Sequence, residues 1–555
     1  MVQDVSRWGA MLADSAQTAP LLAATYGPDE ANWPERLALW QAAATRWQEA
    51  FGSGEVLLTR APARISFNPH SDHQGAHVLY GCHQREMVVA AGWREDSLVQ
   101  VVYGDPQYAS TQSFDLAAEP DLDRAAWEAG WLRYIDAPAV RQSVLELEDT
   151  TTNGAARTSS LRYVKAALLR LAHAYPGRLR GLNLALVGDI PTGAGMSSSS
   201  AIVVAVALAA LALAEIEVSR RPLVAMLGEA EWHVGTRGGA GDHAAMLLGR
   251  LGQLTNIAFD PPVTVRDVRR ATWPDGYRLW LANSGVRAEK SGRAKRLFNR
   301  GVFAYKFAAR ELAEHLRPEE RALISGQRLA DFTTERFPLP RLYELLLSVD
   351  SDFPAEQLRA KYGAEFDQAA ASFFDLSQPD GLPDSLPLRG AAIYGLARAD
   401  RGLVQDQLLA SGTPAAMAEF GRLLSVAHDG DRVTTWLENG AFTAYYGNHT
   451  AASDESLAAL REQAEVNPGD SAVALRSQPG VYTASIPELD HLVDVARRHD
   501  RVLGAGLMGA GGGGVVQVVG DDMVDAEALI ADLTRVVPTT TVEEWRSAAG
   551  AGLIG

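Results

Sequence analysis

The chain is 555 residues long, 47% hydrophobic and 21% charged, with a formal net charge of −17. This length exceeds what one small core organises, so two or more domains or lobes are expected. The negative charge argues against a nucleic-acid or anionic-membrane surface and leaves a small-molecule ligand as the expected partner. Cys82 is the only cysteine, which excludes an intramolecular disulfide and fits a reducing compartment.

The N-terminal residues lack the basic start, apolar stretch and cleavage site of a signal peptide, so a cytoplasmic protein is expected. The strongest membrane candidate is the apolar run 201–214. It is shorter than the roughly 20 residues that a membrane-spanning helix needs. We therefore predict a buried core helix there and no membrane segment.

The first third of the chain alternates between predicted helices and strands. Trp, Leu and Phe recur at helical spacing over 33–51, and EVLLTRAPARISF (55–67) is typical of a strand. A polar loop, NPHSDHQGAH, follows. The segment 104–158 is acidic and is predicted to be irregular, with Trp127 and Trp131 on one short helix.

The stretch PTGAGMSSSSA, residues 191–201, immediately precedes the predicted buried helix. Glycines allow backbone N–H groups to approach a ligand, serines can cap the helix, and the helix dipole favours an anion. A phosphate site is one interpretation, and a capped core helix without a ligand is the other. The stretch is not a Walker A loop, because no Lys follows the glycines.

A second glycine-rich stretch, GAGLMGAGGGG (504–514), lies near the C-terminus and is followed by VVQVV. Because a strand rather than a helix follows the glycines, it is not a dinucleotide fingerprint. A tight turn between two strands and a ligand contact both remain open. The whole pattern of strands and helices predicts an α+β fold rather than a doubly wound sheet.

The polar loop holds His70, Asp72 and His73, a spacing similar to the His-x-His-x-Asp-His loop of metallo-hydrolases, with Asn68 in place of the first His. A zinc site needs three or four ligands, and no clear later His partners stand in the sequence. The same side chains can hydrogen-bond the hydroxyls of a sugar.

Taken in order, three motifs resemble the galactokinase branch of the GHMP small-molecule kinases. APARISFNPHSDHQGAHVL is similar to the sugar-binding signature, PTGAGMSSSSA to the phosphate loop, and GAGLMGAGGGG to the C-terminal glycine motif. Shorter matches such as AEWHVGTRGGAGDHAAMLLG and SIPELDHLV lie between them. The resemblance spans roughly 35–520, with insertions predicted near 104–158, 310–385 and 455–484.

This resemblance implies a two-lobed α+β architecture with the active site in the cleft between the lobes. The N-terminal lobe, of the ribosomal-protein-S5 type, would span 1–285. The C-terminal α/β lobe, with the glycine motif, would span 286–555. The oligomeric state is left open.

The resemblance also implies roles for individual residues. Asp242 matches the base for the sugar hydroxyl, and Arg64 the arginine that keeps this carboxylate ionised and stabilises charge on the transferring phosphoryl group. His70 and Asp72 match the sugar-binding pair.

The implied cofactors are ATP and Mg²⁺, with Ser198 and Glu231 as the metal ligands; the match at Glu231 requires a one-residue gap. The residues implied to hold the ATP phosphates are Gly193, Ala194, Gly195, Met196, Ser197, Ser198 and Ser199.

The resemblance implies an ATP-dependent sugar kinase acting at the anomeric C1 hydroxyl. One departure concerns the acceptor, because the family's Glu before the sugar-binding His is missing and Pro69 precedes His70. Glu would repel a carboxylate, so its loss favours a hexuronate such as galacturonate. The alternatives are a non-catalytic sensor of sugar and ATP, a non-sugar GHMP kinase acting on mevalonate or homoserine, and the metallo-hydrolase.

Overall fold

The computed structural model describes residues 2–104, 111–147, 160–235, 237–260, 262–288, 292–324, 328–374, 376, 381–437 and 440–555. The strands are β1 (Gln3–Asp4), β2 (Glu55–Ser66), β3 (His77–Trp93), β4 (Leu98–Tyr103), β5 (Gln112–Asp115), β6 (Leu182–Gly188), β7 (Gln253–Asp260), β8 (Thr264–Thr272), β9 (Tyr277–Asn283), β10 (Phe353–Pro354), β11 (Ser385–Leu386), β12 (Thr434–Trp436), β13 (Phe442–Ala444), β14 (Val502–Leu507), β15 (Val515–Asp521), β16 (Thr541–Glu544) and β17 (Gly552–Leu553).

The helices are α1 (Val5–Ala13), α2 (Ser15–Tyr26), α3 (Trp33–Phe51), α4 (Arg124–Ala129), α5 (Trp131–Asp136), α6 (Pro138–Glu146), α7 (Leu161–Ala174), α8 (Ser198–Leu213), α9 (Arg220–Glu231), α10 (Gly241–Leu248), α11 (Gly292–Glu314), α12 (Leu339–Leu347), α13 (Ala355–Tyr362), α14 (Ala364–Phe373), α15 (Leu388–Ser411), α16 (Pro414–Asp431), α17 (Gly447–Ala451), α18 (Asp454–Val466), α19 (Pro487–Ala496) and α20 (Ala526–Val536). Across the described ranges, no helix is both long and apolar enough to span a membrane.

The first sheet organises the N-terminal half. In the described part of the chain it has nine strands, with the path β1-β2-β3-β6-β4-β5, β17 beside β2, and β7 and β8 extending from β3. Only β4 and β6 run parallel within it; the other pairs are antiparallel. Helices α1 to α3 pack on one face and α7 to α10 on the other.

Helix α8 is the buried helix that the apolar run predicts. Of its 16 residues, 13 are buried, and it packs on β2 and β3. A helix that is apolar on all sides has no solvent face, so it belongs inside a lobe. Its N-terminus is therefore fixed near the C-terminal end of β6, an interior strand of the first sheet, from which the Gly/Ser stretch continues.

The second sheet organises the C-terminal half. Among the described residues it has four antiparallel strands in the order β14-β15-β9-β16. The glycine-rich stretch 504–514 joins β14 to β15, as predicted for a strand–loop–strand. Strand β9 lies before residue 285, and β17 returns to the first sheet. The division into 1–285 and 286–555 stays a prediction.

The predicted helix over 33–51 is confirmed as α3, and the strand over 55–67 is confirmed as β2. The irregular conformation predicted within 104–158 is wrong for 111–147, which form β5 and α4 to α6; residues 105–110 and 148–158 lie outside the described ranges.

Trp127 and Trp131 do not share one helix, because Gly130 separates the end of α4 from the start of α5. Gly130 has φ +125°, a backbone conformation that L residues rarely adopt and that interrupts a helix.

Candidate active site

The two glycine-rich stretches lie against each other. Gly195 adopts φ +76°, and a Cβ on it would lie 3.1 Å from the Met508 carbonyl oxygen. A Cβ on Gly509 would lie 2.8 Å from the Gly195 carbonyl oxygen. The backbones approach this closely only because neither position carries a side chain. The predicted phosphate loop and the C-terminal glycine motif therefore form one surface.

Arg64 and Asp242 are 178 residues apart in sequence and form an ion pair, with Arg64 Nε 2.5 Å from Asp242 Oδ1. Arg64 lies on β2, and Asp242 lies in the first turn of α10. The other carboxylate oxygen accepts a hydrogen bond from Ser197 Oγ, and Arg64 Nη1 donates to the Gly195 carbonyl. Both predicted catalytic side chains thus contact the phosphate loop directly.

The surroundings of Arg64 keep its guanidinium positively charged. Burial by itself would lower the pKa of Arg64, but the adjacent Asp242 carboxylate, by charge and hydrogen bond, raises the pKa above its usual value. Arg64 therefore stays cationic while its side chain is only 9% exposed. A fixed positive charge at the loop is suited to stabilising an anionic ligand.

Glu231, at the end of α9, contacts α8 and α10. Its Oε2 accepts a hydrogen bond from Ser200 Oγ at 2.6 Å and lies 3.1 Å from His243 Nε2. The resemblance implies Ser198 as the hydroxyl that shares a metal ion with Glu231, whereas the hydroxyl bonded to Glu231 in the structure belongs to Ser200, two residues further along α8. Ser198 lines the same cavity. The run of four serines and the Asp-His pair were the only sequence signals for Ser200 and His243.

The loop between β2 and β3, residues 67–76 and here called the acceptor loop, carries the two predicted sugar-binding residues. His70 is 6% exposed, has φ +67°, and stacks on Tyr482 with 4.5 Å between ring centroids. Asp72 Oδ2 accepts a hydrogen bond from the Gly241 N–H at 3.2 Å. A side chain on Gly239 would overlap this carboxylate. Asp72 is therefore hydrogen-bonded to the backbone of the residue that precedes Asp242.

The described part of the chain contains no set of metal ligands of the kind that the metallo-hydrolase interpretation requires. No group of three or more His, Cys, Asp or Glu side chains there is placed to hold a metal ion. His70 stacks on a tyrosine and Asp72 binds a backbone amide instead. The side chain of His73 falls outside the described atoms.

These residues line one cavity of about 240 Å³. It brings together all the predicted catalytic and sugar-binding residues, five of the seven predicted phosphate-binding residues and Gly509 to Gly511, whereas Ala194 and Met196 are buried beside it and do not line it. Sequence reasoning missed several of its lining residues: Ser66, Tyr80, Ser200, Trp232, Arg237 and His243. Tyr80 lies between two acids, and burial followed by the charges of Asp72 and Asp242 raises the pKa of its hydroxyl well above the usual range.

The donor set fits the implied cofactors. Glycine-lined backbone at the N-terminus of a 16-residue helix offers N–H groups to phosphates. Ser198 and Glu231 add oxygen atoms, which Mg²⁺ prefers when one or two carboxylates and substrate phosphates complete its coordination. We therefore find the residues compatible with both ATP and Mg²⁺.

Two family models match the chain. The GHMP kinases N terminal domain matches residues 162–250, and the GHMP kinases C terminal model matches residues 451–539. The resemblance of this chain to GHMP kinases therefore holds in both of its halves. The first match contains the Gly/Ser loop, Glu231 and Asp242, and the second contains the glycine motif 504–514. The phosphate loop and the C-terminal glycine motif thus fall within regions that the family models cover, whereas the sugar-binding signature at 61–79 lies outside them.

A curated relative and a solved structure that are similar to this chain are both galactokinases. A galactokinase from Dictyostelium discoideum is 22% identical over 338 residues, and the chain spans about 60% of that relative's length. The structure of Lactococcus lactis galactokinase complexed with galactose has a TM-score of 0.57 at 16% identity, covering 92% of this chain and 98% of that one. The resemblance and the two-lobed α+β architecture are confirmed.

Proposed function

We propose that this protein transfers the γ-phosphoryl group of ATP to the anomeric C1 hydroxyl of a hexose or hexuronate. The observation that carries the proposal is the position of Asp242 between two loops: Arg64 and Ser197 hold its carboxylate at the phosphate loop, and Asp72 of the acceptor loop accepts a hydrogen bond from the preceding Gly241. A phosphoryl acceptor and donor must meet at such a junction, since transfer requires the attacking and leaving oxygens in line.

Asp242 is the residue we assign to the acceptor hydroxyl. One of its oxygens is held by Arg64 and the other by Ser197, so its orientation is set before the substrate arrives. It would orient the C1 hydroxyl and take up its proton as the oxygen attacks. Arg64, which also contacts the Gly195 carbonyl, would stabilise the charge that spreads over the transferring phosphoryl oxygens.

The donor side is assigned to the Gly/Ser loop. Backbone N–H groups from Gly193 to Ser199 would hold the β- and γ-phosphates. Ser198 and Glu231 would hold Mg²⁺, which neutralises phosphate charge when bound. Ser200 and His243 would orient Glu231, because both contact its Oε2.

A hexuronate is the acceptor we favour. Pro69 stands where a galactokinase Glu is expected, and Arg237 adds a second guanidinium to the cavity wall. Its guanidinium lies 5.3 Å from the centroid of the Trp232 ring and donates to Asp136. A carboxylate on the sugar would therefore meet less negative and more positive charge than in a site with Glu at position 69.

The single cysteine, buried and reduced, is consistent with a cytoplasmic enzyme.

The test is sugar-dependent ADP release across galactose, galacturonate, glucuronate, arabinose and N-acetylhexosamines, with ³¹P NMR to locate the phosphate. We expect galacturonate to be the best acceptor and the product to be a 1-phosphate. Robust turnover of galactose without any turnover of uronates would overturn the hexuronate assignment.

The variant Asp242→Asn separates the kinase from a sensor, because it keeps the size of the side chain and removes its capacity to accept a proton. We expect sugar-dependent ADP release to fall by about 10³-fold or more. A wild-type protein that binds sugar and ATP but releases no ADP would support the sensor instead.

A further inference from the structure

The acceptor loop is held from behind by a buried cluster that the phosphoryl-transfer chemistry does not use. This cluster, here called the tyrosine–arginine cluster, comes from α15, from the end of α16 and from the segment before α19. Its members are Tyr394, Arg398, Asp431 and Tyr482, with side chains or residues no more than 6% exposed.

The tyrosine–arginine cluster is internally cross-linked. Arg398 Nη2 lies 2.7 Å from Asp431 Oδ2, and Tyr394 donates to Asp431 Oδ1 at 2.8 Å. The Tyr394 and Tyr482 rings stack with 4.7 Å between centroids and 15° between planes. A buried ion pair with further hydrogen bonds cannot lose one member without leaving a buried charge, so its geometry is strongly determined.

Two contacts tie this cluster to the acceptor loop. Asn68 Nδ2 donates to the Arg398 carbonyl at 2.6 Å, and Arg398 Nη1 donates to Asn68 Oδ1 at 3.3 Å. Two residues further along, the His70 ring stacks on Tyr482 with 29° between planes. Asn68 and His70 lie in the first half of the chain, whereas Arg398 and Tyr482 lie in the second. The conformation of the acceptor loop therefore depends on both halves.

His70 needs such support because its φ of +67° is uncommon for a residue with a side chain. A strained conformation persists only when surrounding contacts over-determine it. The ring of Tyr482 stacks directly on His70, and the ring of Tyr394 lies further away, at 6.5 Å between centroids. The Tyr482 hydroxyl has no hydrogen-bond partner among the described residues, so its aromatic face, not its hydroxyl, makes the contact with the histidine.

We propose that Tyr482 is a positioning residue that fixes His70 for the acceptor, with Tyr394, Arg398 and Asp431 holding Tyr482 in place. The effect of this positioning on sugar kinetics rests on the proposed kinase function. The effect on structure, a more mobile acceptor loop when the Tyr482 ring is removed, does not rest on that function.

The decisive comparison is Tyr482→Leu against Tyr482→Phe. The leucine variant removes the stacking face, whereas the phenylalanine variant keeps it and removes only the unpartnered hydroxyl. Amide hydrogen exchange reads the loop directly, since the amides of Phe67, Gln74 and Gly75 are hydrogen-bonded to backbone carbonyls. We expect exchange at these amides to be at least tenfold faster in Tyr482→Leu and unchanged in Tyr482→Phe, with residues 201–213 of α8 protected as in the wild type.

Faster exchange throughout the protein would mean that the leucine variant is unfolded, and Tyr482→Met, which keeps more of the buried volume, then takes its place. Wild-type protection of the acceptor loop in a folded variant without the aromatic ring would overturn the inference.

The kinetic readout separates a positioning role from a merely structural one. We expect Tyr482→Leu to raise the KM for the sugar about tenfold while the KM for ATP stays within twofold, because the ring stacks on His70, the residue that we assign to the sugar. Equal changes in both KM values would contradict positioning. A wild-type protein without turnover on any sugar would instead contradict the proposed function, and the exchange experiment would still decide the role of Tyr482.

Discussion

At the residue scale, one carboxylate organises the site. Asp242 has each oxygen engaged by a different partner, Arg64 and Ser197, and both partners belong to segments that line the cavity. Arg64 in turn uses two different nitrogens, one toward Asp242 and one toward the Gly195 carbonyl. The planar guanidinium makes this bridge in a way that a single ammonium group does not.

The first prediction concerns that bridge. Arg64→Lys keeps the positive charge but loses the simultaneous contacts, so we expect kcat to fall about 10²-fold, in the range seen when a group that stabilises transition-state charge is removed. Steady-state kinetics measures this, and the thermal midpoint checks that the variant is folded. A lysine variant with the wild-type kcat would show that charge alone suffices.

Arg237 is predicted to act on acceptor choice. Arg237→Gln removes the second cation of the cavity wall, so we expect kcat/KM for galacturonate to fall by about tenfold or more, as for the loss of one charge-assisted hydrogen bond, with galactose much less affected. Arg124→Gln, at an exposed helix-surface pair with Asp121, is the matched control. Equal losses on both sugars would remove Arg237 from the specificity argument.

At the element scale, helix α8 and the two glycine-rich stretches form the part of the cavity to which we assign the phosphate donor. The apolar character of the helix places its body in the core, and its N-terminus lies where the Gly/Ser stretch follows the C-terminal end of β6. The stretch between β14 and β15 reaches the Gly/Ser stretch from the second sheet. The amino-acid sequence of neither glycine-rich stretch reveals that it contacts the other one.

Gly509→Ala tests this contact. The new Cβ would press on the Gly195 carbonyl oxygen, at 2.8 Å without relaxation, and displace the phosphate loop. We expect the KM for ATP to rise by about tenfold, corresponding to roughly 1.4 kcal/mol, with a smaller change in the sugar KM.

The matched control is Gly276→Ala, because Gly276 has a similar φ of +79° but no atom within 4 Å of the added Cβ. It carries the same backbone strain without the contact. If both variants raised the KM for ATP equally, strain rather than the contact between the two stretches would be responsible.

At the scale of the whole molecule, several histidines are buried as neutral groups. Burial lowers the pKa of His83 and of His233 to about 3 and the pKa of His77 to about 4, with nearby cationic side chains adding to the effect. In the unfolded chain each would titrate near pH 6.5. Between pH 6.5 and 4 the unfolded chain therefore binds more protons, so the free energy of unfolding falls as the pH falls.

His233→Phe is predicted to weaken this acid sensitivity. His233 stacks near Trp131, and neither ring nitrogen has a hydrogen-bond partner in the described part of the chain, so a phenyl ring fits the same contacts. We expect the loss of unfolding free energy between pH 7 and 4 to shrink by about 3 kcal/mol relative to the wild type. Urea unfolding at several pH values measures it, and parallel curves for the two proteins would contradict the prediction.

The elements that depend on local residue character could be predicted from the amino-acid sequence. The helical spacing of large apolar residues gave α3, the wholly apolar run gave α8, and glycine followed by VVQVV gave the hairpin of β14 and β15. The order of the three motifs indicated the family, and with it the pairing of Arg64 with Asp242. These features follow from periodicity and residue type within short windows.

The contacts between side chains that are distant in sequence could be read from the folded structure alone. Among four adjacent serines, the hydroxyl of Ser200 lies on Glu231, because the turn of α8 and the end of α9 set which one faces inward. Tyr482 lies beneath His70, 412 positions away in sequence, because the second half of the chain packs behind the acceptor loop. Such contacts depend on how sheets and helices pack together, which no local pattern of residues encodes.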